Sequence, residues 1–211
     1  MRLILILLAS LLLSGCQTGY FALMDKAGIS RREMLVHRVQ DARDAQVKAR
    51  YAFSRAEDRY QAALHPSGNA PEVTLEQLHK AYADSDKAAA AVAPRVDNIE
   101  QVGDALFAEW RDELGRYKDP NLAASSRDEY QRSLAQYQQM LRSMRDAQSQ
   151  VAPALAGMSD QMLQIKHRRN AQAISDLEDS ERSVEGDLQP LLIDLQRSID
   201  QAAGFAQTLQ P

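Results

Sequence analysis

The sequence predicts an all-α protein: an elongated antiparallel helical bundle or coiled coil of three to four long helices, kinked at prolines. Two observations support this fold class. Apolar residues recur at alternating spacings of three and four along most of the chain, which is the period of helices that pack side by side. The nine glycines and seven prolines are few for a chain of 211 residues. Most of them lie between the periodic stretches or at interruptions of them, as loops and kinks require.

The first helix is predicted to start at a capping box formed by Ser30 and Glu33, in which each side chain satisfies the other residue's backbone N–H group. Its apolar seam has one polar interruption, at Gln46, and lasts about four heptads. The seam consists of Leu35, Val39, Ala42, Gln46, Ala49, Phe53, Ala56, Tyr60 and Ala63. Prolines and a glycine in residues 65–71 then predict a loop, because they cannot continue a helix.

The second helix is predicted to run from a capping box at Thr74 and Gln77 to the turn residues 119–121. Its seam keeps the same period on both sides of Pro94, which indicates one kinked helix or two segments in register. At about 40 residues each, the first two helices would be about 60 Å long.

A third capping box, formed by Ser126 and Glu129, predicts the start of the third helix. The last two periodic stretches cover residues 130–165 and 174–209. The boundary between these two helices fits one of three places: a Gly-Met-Ser segment at residues 157–159, a segment at residues 170–173, or a Glu-Gly pair at residues 185–186. Short connections make sequential helices antiparallel neighbours.

The start of the chain has the pattern of a signal for export. Arg2 precedes an apolar run over residues 3–13, and small residues at positions 14 and 15 precede Cys16. The run suits a secretory signal peptide and is well short of the roughly 20 residues that a membrane-spanning helix requires. The pattern resembles the bacterial lipoprotein signal, the lipobox, in which the cysteine is acylated and becomes the new N-terminus. The alternatives are an uncleaved anchor and an ordinary signal peptide that contains a cysteine.

This interpretation divides the chain into a signal peptide that is removed (1–15), a lipidated N-terminus with a short tether (16–29) and a single helical-bundle domain (30–211). It predicts a lipoprotein of the bacterial cell envelope with acyl chains, such as palmitate, on Cys16. Gln17, rather than aspartate, follows the cysteine, which resembles lipoproteins sorted to the outer membrane and predicts a bundle that faces the periplasm. No cysteine follows Cys16, whose thiol would carry the lipid, so an internal disulfide, a thiolate metal site and a cysteine nucleophile are excluded from the rest of the chain.

Charge and motifs argue against several further classes of function. The formal net charge of −4 argues against a nucleic-acid partner, which requires a net basic surface. The sequence contains no Gly-rich phosphate loop, Gly-x-Ser-x-Gly elbow or His-Glu-x-x-His motif. We therefore expect no enzymatic activity, and no cofactor other than the covalent lipid on Cys16.

One Glu-x-x-His pair, Glu76 and His79, gives weak candidates for a metal site. Di-metal helical bundles use two such pairs and a glutamate from each of the other two helices, and no second pair occurs here. Glu76 also has a simpler role, because a carboxylate near a helix start favours the helix dipole. We therefore predict no metal. A metal- or small-ligand-binding bundle, with His167 as a third candidate residue, remains the alternative function.

The densest basic run is Lys166, His167, Arg168 and Arg169, a candidate patch for an acidic partner or anionic lipid headgroups. The segment that follows, residues 176–187, is acidic. Pairing within the chain and a solvated helix face are therefore the alternatives.

The chain also carries a pattern of residues shared with a known family. The pattern consists of Val151-Ala152-Pro153-Ala154-Leu155, Asp160, Leu163, Lys166-His167, Asn170-Ala171 and Ala173-Ile174, preceded by Glu109-Trp110 and Glu113-Leu114. It resembles the signature of an uncharacterised proteobacterial lipoprotein family, domain of unknown function 2959, over nearly the whole mature chain. In that family Asn-Leu-Asn follows the Lys-His pair, where this chain has Arg168-Arg169-Asn170. The resemblance implies an exported helical lipoprotein and supplies no activity or ligand.

These observations together predict a non-enzymatic structural or partner-binding scaffold that its lipid anchors to a membrane. We expect its partner to be an envelope protein, met by the polar helix faces and the basic run. Association between copies of the chain through an exposed seam, forming a homo-oligomer, is a further alternative.

Overall fold

The computed structural model describes residues 28–64, 73–170 and 177–209, except for the side chains of residues 64, 168–170 and 177–187. The described residues form six α-helices and no β-strand. The helices are α1 (Arg31–Leu64), α2 (Leu75–Ala90), α3 (Ala93–Leu114), α4 (Pro120–Ser149), α5 (Val151–Asn170) and α6 (Leu177–Thr208). The predicted all-α fold is confirmed. Within the described residues, no helix is both long and apolar enough to cross a membrane.

The six helices build four antiparallel columns. One column is α1, one joins α2 to α3, one joins α4 to α5, and the last is α6. Helix α1 packs against α2, α3 and α6. Helix α4 packs against α3 and α6, and α5 packs against α2 and α6. Each column therefore contacts two neighbours, and the four close a ring around a shared core.

The two joined columns are interrupted beside prolines, as predicted. Pro94 lies in the first turn of α3 and Pro153 in the first turn of α5, where a residue without an N–H group leaves no helical hydrogen bond unmade. Pro190 lies inside α6, which continues on both sides of it.

Two of the three predicted capping boxes are present. At the start of α1, the Glu33 N–H group donates to Ser30 Oγ at 3.2 Å, and the Ser30 N–H group donates to Glu33 Oε2 at 2.9 Å. The hydrogen bonds from the Ser30 backbone and hydroxyl lower the pKa of the Glu33 carboxyl. Thr74 and Gln77 form the same reciprocal pair at the start of α2. Both helices therefore begin where the sequence predicts.

The predicted start of the third helix at Ser126 is wrong, because α4 begins earlier, at Pro120. The Asp119 side chain accepts hydrogen bonds from the N–H groups of Asn121 at 2.7 Å and Leu122 at 3.3 Å. Proline suits the first helical position, since its missing N–H group has no partner there in any helix. Asp119 and Pro120 therefore start a helix rather than ending the preceding one. Ser126 Oγ instead accepts a hydrogen bond from the Trp110 indole at 3.2 Å.

The structure also distinguishes among the three predicted boundaries of the last two helices. Gly157 lies inside α5 and Gly186 lies inside α6, so neither ends a helix. Helix α5 reaches Asn170 and α6 begins at Leu177. The third predicted boundary, residues 170–173, falls at the end of α5, and residues 171–173 lie outside the described residues.

The seam of α1 lies at the centre of the core. From Leu35 to Tyr60, every predicted seam residue of α1 is at most 1 % exposed, because α2 and α3 cover one side of the helix and α6 covers the other. Small side chains in the seam let the neighbouring helix axes approach. The methionines Met140, Met144, Met158 and Met162 are buried as well. Core packing therefore accounts for these methionines without a ligand pocket.

One polar contact crosses this core between α1 and α6. Gln46 Nε2 donates to Ser198 Oγ at 2.8 Å, and Gln46 Oε1 lies 3.1 Å from the same hydroxyl. Both side chains are fully buried. The Gln46 amide and the Ser198 hydroxyl therefore supply each other with the hydrogen bonds that burial away from water removes.

Aromatic rings fill the core where α3, α4 and α6 meet. The Phe107 ring centroid lies 5.1 Å from that of Tyr137 and 5.9 Å from that of Tyr130, and Tyr137 lies 6.0 Å from Phe205. Gly103 of α3 makes room for the cluster, because the Tyr137 ring occupies the space where a side chain would begin.

A methyl group at residue 103 would overlap the Tyr137 ring. We expect Gly103→Ala to lower the free energy of unfolding by about 1–3 kcal/mol, the usual cost of overpacking a filled core. Denaturant unfolding followed by circular dichroism measures this change. The matched control is Gly204→Ala in α6, where the new methyl group meets no atom within 4 Å. There, alanine's helix propensity should stabilise the fold by about 0.5–1 kcal/mol. Equal effects at the two positions would contradict this role for Gly103.

The Gln46–Ser198 contact makes a separate prediction about stability. Ser198→Ala should lower the free energy of unfolding by about 1–3 kcal/mol, because the buried Gln46 amide loses its partner. Adding Gln46→Leu to this variant should restore most of the loss, since an apolar pair of similar shape has no unsatisfied group. The same unfolding measurement applies, and a double variant no more stable than Ser198→Ala would rule the explanation out.

Candidate functional site

A groove of about 360 Å³ lies on the surface between α1 and α2. It forms because three residues where the helices approach, Ala52, Ala56 and Ala81, are too small to fill the space between two polar helix faces. The longer side chains around it are Tyr51, Arg55, Arg59, Gln77, Lys80 and Asp84. We refer to these nine residues as the α1–α2 groove.

The α1–α2 groove carries more positive than negative charge. Arg55 and Arg59 lie one turn apart on the same face of α1, and Lys80 comes from α2, against a single carboxylate at Asp84. Lys80 Nζ lies 2.9 Å from Asp84 Oδ2, in a pair whose two side chains are largely exposed. Such exposed pairs contribute little to stability, so Lys80 can bind a carboxylate of a partner in place of Asp84.

The two arginines of the groove differ from those near the start of α1. Three arginines there form ion pairs with carboxylates. Among the described residues, no carboxylate lies within ion-pair distance of Arg55 or Arg59. Arg55 Cζ instead lies 5.6 Å from the centroid of the Tyr51 ring, a cation–π arrangement. Residue Tyr51 is itself 62 % exposed, so one edge of the groove presents an aromatic residue beside two arginines.

A second groove of about 520 Å³ continues along the same pair of columns and shares Asp84 with the first. Its charges balance, with three acids and three bases. They are Asp41, Asp44, Asp84, Lys48, Lys87 and Arg95. The excess positive charge is therefore confined to the end near Arg55.

The predicted basic patch lies on a different helix from those that form the groove. Lys166 and His167 are exposed near the end of α5. The side chains of Arg168 and Arg169 lie outside the described residues, as do the acidic side chains of residues 176–187. Cys16, the predicted lipidation site, also lies outside them.

The weak metal candidates are not brought together with further ligands. Glu76 and His79 are exposed on α2, and His167 is exposed on α5. In the part of the chain that the structure describes, no group of three or more histidine, cysteine, aspartate or glutamate side chains is arranged to hold a metal ion.

Reasoning from the sequence missed the α1–α2 groove as a candidate site. The available indication is the spacing of Tyr51, Arg55 and Arg59, which places an aromatic ring and two arginines on one helix face. The position of Lys80 opposite them is not visible in the sequence, because it depends on how α2 packs beside α1.

A known family matches nearly the whole chain. Residues 20–209 match the family described as "Protein of unknown function (DUF2959)", which confirms the resemblance to domain of unknown function 2959. No curated protein and no solved structure matches the chain.

Proposed function

The chain belongs to the DUF2959 family, and we propose that it is a non-enzymatic, lipid-anchored scaffold of the bacterial cell envelope that binds an acidic protein partner. The partner occupies the α1–α2 groove. The observation that carries this proposal is the pair of arginines, Arg55 and Arg59, which lack a carboxylate partner within the described residues and flank an exposed aromatic ring.

The composition of the groove matches a protein interface better than a solvated helix face. Arginine and tyrosine are enriched where proteins bind one another, whereas lysine and glutamate dominate ordinary surface. Charge complementarity selects an acidic partner and speeds its association. The two arginines project from a helix whose apolar seam is fully buried, so core contacts hold the surface that the partner meets.

The lipid anchor supplies the location. In this proposal Cys16 carries the acyl chains, residues 16–29 form the tether, and the bundle faces the periplasm from the outer membrane. The anchor keeps the groove near one membrane surface, which raises the local concentration of any partner held at that surface.

Site-specific photo-crosslinking in the native cell tests the groove. A photo-reactive amino acid at Tyr51 should capture a protein through a segment rich in aspartate and glutamate. Arg55→Glu with Arg59→Glu should reduce this capture about tenfold or more, because two attractive contacts become repulsive. Mass spectrometry of the captured product gives both the partner and the crosslinked segment.

Two matched controls accompany this experiment. Ile193 on α6 is also a large exposed apolar residue, and the same photo-reactive amino acid there should not capture that partner. Arg132→Glu with Arg142→Glu makes the same charge change on exposed positions of α4 and should leave the Tyr51 capture unchanged. Equal capture at both positions, or capture at Tyr51 that survives reversal of Arg55 and Arg59, would refute binding in the groove.

A second experiment tests the anchor. Cys16→Ala should abolish metabolic labelling by a fatty acid and release any processed protein from the membrane fraction, because the acylated thiol is absent. Ser14→Ala keeps a small residue before the cleavage site and should be labelled normally. Labelling that persists in Cys16→Ala would overturn the lipoprotein assignment.

A further inference from the structure

We propose that the tip of the α3–α4 hairpin, residues 111–122, contacts the bilayer that holds the lipid anchor. We call these residues the hairpin tip. The inference rests on the anchor in the proposed function and goes beyond it, because it states which end of the bundle faces the membrane and which side chains reach the lipid. It does not depend on the α1–α2 groove.

The other columns end together at one level of the bundle. Arg31, in the first turn of α1, forms an ion pair with Glu109 of α3. Arg32 Nε donates to the backbone carbonyl of Leu209, just after α6, at 2.6 Å. The start of α1, the end of α6 and Glu109 therefore lie side by side.

The hairpin continues beyond this level. Helix α3 extends past Glu109 to Leu114, and α4 starts at Pro120 and comes alongside α3 again where Ser126 meets Trp110. About five residues of each helix therefore extend past α1 and α6, a distance of about 8 Å at the rise of an α-helix.

The base of the hairpin is packed, although little covers the hairpin tip itself. Asp119 caps α4, and the Trp110 ring, which packs against Tyr130 and Phe107, fixes the base of the hairpin. All tip residues except Leu114, which is partly buried, are exposed. These residues are therefore exposed because the hairpin extends beyond the other columns, and not because the packing at its base is incomplete.

Two large apolar side chains are among the exposed tip residues. Leu122 is 57 % exposed and Tyr117 is 45 % exposed. Arg116 and Lys118 flank Tyr117 in the sequence. Tyrosine favours the membrane interface, where its ring meets the acyl region and its hydroxyl meets water. Long basic side chains beside it can place their charges among the lipid phosphates.

The first described residues of the chain lie at the same end of the bundle as the hairpin tip. Gly28, the first described residue, precedes the start of α1, and the start of α1 lies beside the hairpin. Residues 16–27 span at most about 40 Å when fully extended. The anchored bundle therefore keeps the hairpin tip close to the lipid, and a weak contact becomes effective because the tether makes it intramolecular.

Fluorescence of the lipidated full chain in vesicles of phosphatidylethanolamine and phosphatidylglycerol tests the proposal. An environment-sensitive dye is attached through Asn121→Cys, an exposed tip position, while the Cys16 thiol is blocked by its lipid. The dye should shift to shorter wavelength and be quenched several-fold by lipids carrying a quencher in the acyl chain. The same dye at Lys166→Cys, exposed on α5 at the opposite end of the bundle, should show neither effect.

The hairpin tip itself is tested with Tyr117→Ser and Leu122→Ser in the Asn121→Cys chain. These changes should abolish the shift and the quenching, while circular dichroism and flotation with vesicles stay unchanged. Flotation without quenching at residue 121 overturns the hairpin contact and leaves the anchor standing. Failure to float overturns both. Quenching at both ends shows a bundle lying flat, and a spectral shift without vesicles shows a second copy covering the tip; either result also overturns the proposal.

Discussion

The buried seam of α1 is the contact on which the other columns depend. Both neighbouring columns pack directly on this helix, and its predicted seam from Leu35 to Tyr60 is excluded from water along nearly its whole length. Large residues such as Phe53 alternate with alanines, so neighbouring helices approach at the small residues and the large side chains fill the adjacent space. Each layer buries a modest apolar area. The stability of the bundle is therefore distributed along its length.

The small alanine side chains that allow close helix packing also produce the candidate binding surface. Ala56 belongs to the buried seam of α1 and also lines the α1–α2 groove. Close packing at the alanines brings α1 and α2 together at the core and leaves a depression where their outer faces diverge. Arg55 and Arg59 lie beside that depression on a helix held by its own core contacts. The rigidity of the core and the presentation of charge thus have one structural cause.

The sequence predicts a feature of this fold when the interaction that determines it lies within a few residues, and fails when that interaction joins two helices. Ser30 with Glu33 and Thr74 with Gln77 are reciprocal contacts within one turn, so the sequence alone located both helix starts. Asp119 and Pro120 are ambiguous in a sequence, because the same pair suits the end of one helix and the beginning of the next. The hydroxyl of Ser126 was available for capping, yet it bonds to Trp110, a contact between two helices. The groove was not predicted for the same reason, since Lys80 faces the arginines only after α2 docks on α1.

The buried contact between Gln46 and Ser198 has a consequence for how the length of this bundle can change. Sliding α6 along α1 by one turn would place the Gln46 amide against hydrocarbon, so the pair fixes the axial register of these two helices. An insertion in one helix alone moves every residue beyond it out of register with its partners. The bundle can then become longer or shorter only if adjacent columns gain or lose the same number of heptads, on the same side of the Gln46–Ser198 contact.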